Sequence, residues 1–86
     1  MKADFHKSFN KQFQKLPVKQ KFQVRQAINI FVNEPNHLSL RNHTLKGRWT
    51  GHRSISAGGD LRLHYVPQHD DRAVFVAVGK HAQLYG

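Results

Sequence analysis

Phe5, Phe9, Phe13 and Leu16 fall at helical spacing, with Lys7, Lys11 and Lys15 on another face of the same wheel. The pattern predicts an amphipathic helix from about Ser8 to Leu16, with Ser8 as its N-cap. Leu16-Pro17 interrupts it, because the residue before a proline avoids the helical region, while proline suits the first turn of a following helix. Val24, Ala27, Ile28, Phe31 and Val32 supply the apolar stripe of that second helix, and Asn33-Glu34-Pro35-Asn36 ends it. The two helices are expected to form a hairpin that lays its apolar faces on one surface and turns its basic residues outward. The Phe5, Phe9 and Phe13 stripe is therefore core rather than a membrane-facing surface.

From Leu45 onward the period falls to two. Ser54-Ile55-Ser56-Ala57, then Gly58-Gly59, then Asp60-Leu61-Arg62-Leu63-His64-Tyr65-Val66 reads as two antiparallel strands joined by a two-residue loop. With that loop Ala57 opposes Asp60, Ile55 opposes Arg62 and Arg53 opposes His64. Arg53, Asp60, Arg62 and His64 then line one cationic, helix-free face, while Leu61, Leu63 and Tyr65 point to the helices. A slip of one residue would reverse the assignment. Pro67-Gln68-His69-Asp70-Asp71 predicts a second turn, and Ala73 to Val78, apolar on both faces, a central or covered strand. The order of helices and strands predicts an α+β fold, an N-terminal helical hairpin packed on one face of a small antiparallel sheet. One domain is expected over residues 1–86, without internal repeats or linkers.

Composition narrows what such a domain could do. Fourteen lysines and arginines against five acids give a net charge of +9, with seven histidines able to add to it. A chain this small and this basic expects a polyanion, nucleic acid first and an acidic protein next. The absence of cysteine excludes disulfides, thiolate zinc sites and thiol redox chemistry, and fits a reducing cytoplasm. No segment approaches the roughly 20 apolar residues of a membrane span, so a soluble cytoplasmic protein with no membrane partner is expected. Histidine spacing fits no common zinc pattern, and no metal or other cofactor is expected.

Val78 to Gly86 places a glycine, a lysine, a histidine and a tyrosine directly after alternating valines, which reads as strand, then turn, then reactive groups. An imidazole titrates near neutrality and suits acid or base chemistry.

The segments Asn42-His43-Thr44-Leu45-Lys46-Gly47, Gly51-His52-Arg53-Ser54, Asp60-Leu61-Arg62-Leu63-His64-Tyr65 and Gly79-Lys80-His81-Ala82-Gln83-Leu84-Tyr85 stand in a telling order. Together with the lysine-rich hairpin they resemble the RelE/ParE superfamily of bacterial toxins, and within it the YafQ-type mRNA interferases. The resemblance spans nearly the whole chain and implies a RelE-like fold. It implies a type II toxin that enters the ribosomal A site and cuts mRNA as a metal-independent endoribonuclease. A cognate acidic antitoxin silences it, and the toxin–antitoxin complex binds operator DNA through the antitoxin. The RNA's own 2′-hydroxyl is the nucleophile, so the protein owes a base, a proton for the leaving 5′-oxygen and positive charge for the phosphate.

The resemblance also implies roles. His81 is a general acid or base. Tyr85 stacks on a base or orients the phosphate, Asp60 holds a histidine or takes a proton, and Arg62 stabilises the pentavalent phosphate. His43 is a further histidine of the site. Lys46, Arg53 and Lys80 position phosphates, and Lys11 and Lys15, with Lys7, suit contact with the 16S rRNA of the ribosome. Ser56 departs from the pattern, standing where YafQ-like toxins carry a second catalytic histidine. That departure keeps two rivals open: a ParE-like toxin that binds DNA gyrase without catalysis, and an inactive toxin fold serving only in a repressor complex.

Overall fold

Strand formation begins earlier than the helical pattern suggests. The computed structural model describes residues 1–85, and Lys2–Phe5 forms strand β1. Helices α1 (Lys7–Gln14) and α2 (Val18–Asn33) follow, then β2 (His43–Thr44), β3 (Arg53–Ser56), β4 (Leu61–Gln68), β5 (Arg72–Lys80) and the short α3 (His81–Tyr85). The five strands make one sheet in the order β1-β5-β4-β3-β2, antiparallel throughout except that β1 runs parallel to β5. The architecture is the expected α+β layer, with an additional parallel edge.

Several local expectations are corrected. Phe5 lies in β1, opposite Phe75, and its ring still packs tilted on Phe9 at 5.2 Å and stacks on Phe75 at 5.8 Å. It therefore joins the same aromatic cluster from strand rather than helix, which is why the helical spacing continued through it. The N-cap of α1 is His6, whose Nδ1 accepts from the Ser8 N–H at 3.1 Å. Ser8 instead donates its hydroxyl to the Val76 carbonyl at 2.6 Å. Pro17 occupies the N-cap of α2, and Pro67 and Gln68 continue β4, leaving His69 to Asp71 for the turn.

Val76 is the extra residue of a β-bulge: Tyr65 opposes Phe75 and His64 opposes Ala77. A bulge leaves backbone groups without ladder partners. Ser8 takes up the Val76 carbonyl, and Gln12 Oε1 accepts the Val78 N–H at 2.9 Å, so α1 is tied to the irregular stretch of β5 by two side chains. Beneath α1 and α2 the core gathers Phe9, Val24, Phe31, Leu63, Tyr65 and Phe75. Phe31 meets Tyr65 edge-on at 4.9 Å and Phe75 at 5.2 Å. Burial of each such ring contributes roughly 3 kcal/mol.

The hairpin register differs from the expected one. Arg53 opposes Tyr65, Ser54 opposes His64, Ile55 opposes Leu63 and Ser56 opposes Arg62. Asp60 joins Gly58 and Gly59 in the loop, one residue longer than a two-glycine turn. The Leu61 N–H bonds the Gly58 carbonyl at 3.0 Å and the Ala57 N–H bonds the Leu61 carbonyl at 2.9 Å. Both glycines hold positive φ, 105° and 53°, which glycine adopts at little cost. Arg53 thereby leaves the face of Arg62 and His64, and Ser54 and Ser56 enter it.

Candidate functional site

The corrected register lays His43, Ser54, His64 and Ala77 in one row across β2, β3, β4 and β5, on the sheet face away from α1 and α2. That face is not open, as the sequence suggested. His64 and Ser54 are fully buried, and neither ring nitrogen of His64 nor the Ser54 hydroxyl finds a protein partner. The cover comes from the Gly47–Trp49 turn and from α3.

A continuous line of rings runs over this face. His81 and Tyr85, one turn apart on α3, have centroids 4.4 Å apart; Tyr85 lies 5.2 Å from His64. Trp49 meets His64 edge-on at 4.5 Å and His52 at 5.1 Å. The helix is held from the same side, because Arg48 Nη2 and Trp49 Nε1 both donate to the Leu84 carbonyl, at 2.8 and 3.2 Å. Burial, then His52, His43 and His81 in that order, lower the His64 pKa to about 4. His64 is neutral near pH 7 and acts as an aromatic spacer rather than a charge.

Strand β5 continues through Gly79 to Lys80, so the expected turn at Gly79 is absent and α3 starts directly at His81. The His81 N–H donates to the Asp60 carbonyl at 3.0 Å, which joins the glycine loop to the start of α3. Arg62, opposite Gly79, donates through Nη1 to the Gly59 carbonyl at 2.8 Å, the Leu61 carbonyl at 3.1 Å and the Ser56 hydroxyl at 3.3 Å. Asp60, Arg62, Lys80 and His81 thus gather where β4 and β5 meet α3, with Tyr85 one turn beyond His81.

His43 approaches from β2. Its Nδ1 lies 2.8 Å from the Arg41 carbonyl, which can only accept, so Nδ1 donates there and Nε2 is the ring nitrogen without a partner among the described residues. Lys46 is exposed immediately before the Gly47–Trp49 turn, and Lys11 and Lys15 are exposed on α1 and just past its end. Arg53 belongs elsewhere: its Nε donates to Asn42 Oδ1 at 2.8 Å, and Asn42 in turn bonds the Tyr65 hydroxyl. Among the described residues, no three histidine or acidic side chains converge as metal ligands.

Sequence reasoning missed Arg48, Trp49 and His52. The single tryptophan, flanked by glycines at Gly47 and Gly51, was the available signal.

With this geometry the chain can be placed. Residues 1–86 match the family model of the YafQ bacterial toxin of type II toxin–antitoxin systems. The chain belongs to the YafQ toxin family.

No curated protein matches it. Among solved structures, a copper-bound point mutant of a Helicobacter pylori toxin is 29% identical, with a TM-score of 0.77 and 98% of each chain covered. YafQ from Escherichia coli strain BL21(DE3) is 22% identical, with a TM-score of 0.77 over 98% of this chain and 97% of that one. The E. coli DinJ–YafQ complex superposes with a TM-score of 0.73 at 23% identity, covering 98% and 97%. At the identities of the two E. coli structures the likeness concerns the fold.

Proposed function

We propose that this YafQ-family toxin is an endoribonuclease that cuts mRNA in the ribosomal A site, without a metal. The observation that carries the reading is the main-chain bond from His81 to Asp60. It joins the residues that carry an exposed imidazole and a carboxylate, next to Arg62, where β4 begins and β5 ends.

In this reaction the 2′-oxygen forms a bond to the adjacent phosphorus while the bond from phosphorus to the 5′-oxygen breaks. A base takes the 2′-hydroxyl proton and an acid returns one to the leaving oxygen. We assign His81 to one of these transfers and the free Nε2 of His43, or Asp60, to the other. Arg62 offsets the charge that builds on the phosphate; among the described residues nothing occupies its Nε or Nη2. Tyr85, tilted against His81 and partly exposed, offers its ring to a base. Lys46, Lys80, Lys11 and Lys15 hold phosphates of mRNA and rRNA. Arg53 takes a framework role, since its Nε is committed to Asn42. An acidic antitoxin neutralises the +9 surface, as the DinJ–YafQ assembly suggests for this family, and carries any operator binding.

The test is in vitro translation of a defined mRNA with the wild-type protein and with His81→Ala, mapped by primer extension. Cuts within ribosome-occupied codons are expected, and the variant should lose about a hundredfold or more of the rate. Intact mRNA with folded wild-type protein would overturn the reading and turn attention to DNA gyrase.

A further inference from the structure

Behind the His81 cluster, between the start of α2 and the outer ends of β4 and β5, lie two depressions of about 420 and 240 Å³ that adjoin at Gln20 and Lys80. Together they form one groove lined by Gln12, Lys15, Lys19, Gln20, Lys80 and Gln83, and Asp60 stands at its end nearest the glycine loop.

Most of the polar groups along this groove are donors or cations, with the Asp60 carboxylate confined to one end. Gln12 Oε1 accepts the Val78 N–H at 2.9 Å, and Gln83 Oε1 accepts the Lys80 N–H at 2.8 Å. A backbone N–H can only donate, so these bonds fix which end of each amide is oxygen. Among the described residues the NH2 groups are thereby left as the free ends, each with two donors. Lys15, Lys19 and Lys80 are exposed and, among the described residues, none is in an ion pair. Five side chains thus offer donors and three positive charges, and the acceptors of the two glutamines are already used. A ligand that fits carries acceptors and negative charge along an extended chain, with that charge held clear of Asp60.

A phosphodiester backbone and an acidic peptide both meet part of that description. Position favours the former. Lys80 precedes His81, and Asp60, which lines the groove, bonds the His81 N–H through its carbonyl. A strand held at the cluster passes into the groove without crossing the helical layer. We propose that the groove is a single-stranded RNA track leading from the His81 cluster, with Gln12 and Gln83 as neutral donors and Lys15, Lys19 and Lys80 as counter-charges. The direction of the track rests on the nuclease reading; the binding does not.

A fluorescein-labelled 2′-O-methyl oligoribonucleotide lacks the nucleophile and reports binding by anisotropy without cleavage. Gln12→Glu is the informative variant, because a carboxylate still accepts the Val78 N–H while the outward donor becomes an anion. Affinity at low salt should fall about fivefold or more, and Lys19→Ala should flatten the dependence of log K on log salt by about 0.7, with Lys19→Arg restoring it. Undetectable oligonucleotide binding by the wild type, or equal binding by the wild type and Gln12→Glu, would overturn the track. So would an oligoglutamate peptide that binds and responds to these variants when the oligonucleotide does not. If mRNA stays intact in translation while oligonucleotide binding still follows the variants, the track stands and the nuclease reading falls.

Discussion

At the scale of single residues, His64 shows how a polar side chain can be kept as an aromatic one. Burying an imidazole with both nitrogens unpartnered costs a few kcal/mol, and the edge-on contact with Trp49 returns only part of that. The charged form is disfavoured as well, its pKa lying near 4 against an ordinary value of 6.5. The folded state therefore binds fewer protons than the unfolded chain between those values. Stability is full above about pH 6.5 and falls as pH drops toward 4, by on the order of 3 kcal/mol. Urea unfolding at pH 7 and pH 4.5 should show that loss in the wild type, and His64→Leu should remove most of it. A wild-type midpoint that does not move with pH would refute the assignment. The sequence placed His64 on the right face through strand alternation alone. Its cover was not legible, because Trp49 reaches it from a short turn that carries no periodic pattern.

At the scale of elements, α3 is too short to persist by itself. It is set by three attachments: the Asp60 carbonyl at its start, and Arg48 and Trp49 on the Leu84 carbonyl near its end. Trp49→Phe keeps a ring against His64 and deletes one of these bonds, so it should cost about 1 kcal/mol in global stability. The larger effect is local. Amide exchange should quicken in α3 well beyond the rest of the sheet, and cleavage should fall with it; unchanged exchange there would show that the tryptophan does not hold the helix. Helices α1 and α2 were legible because their apolar stripes repeat. The glycine loop was legible as a turn but not in its length, since two glycines with positive φ serve either a two-residue loop or one that also takes in Asp60. That residue of difference moved Arg53 off the face and brought Ser56 against Arg62. Strand β1 escaped notice because Phe5 satisfied the helical pattern while belonging to the sheet.

At the scale of the whole molecule, charge and connectivity matter most. A net +9 on 86 residues produces a field that reaches beyond any one contact. Association with the proposed acidic antitoxin, followed by stopped-flow fluorescence, should slow by about tenfold or more between low and high salt, while dissociation changes little. A rate insensitive to salt would mean that shape, not charge, governs the encounter. The family was legible in the order of short segments spread along the chain, whereas the groove behind His81 was not, because its donors come from α1 and its end, α2, the end of β5 and α3.

Ser8 and Val76, joined by one hydrogen bond, stand 68 residues apart, and β1 pairs with the similarly distant β5. Such remote partners make assembly slow compared with a helical bundle of the same size. They also impose an order on a chain made from its first residue to its last. The opening strand and α1 emerge with the bulge they must clasp still unmade, and the cluster at His81 has no glycine loop to rest on until β4 and β5 have closed. The proposed working surface is therefore complete only once the last strands of the sheet are in place.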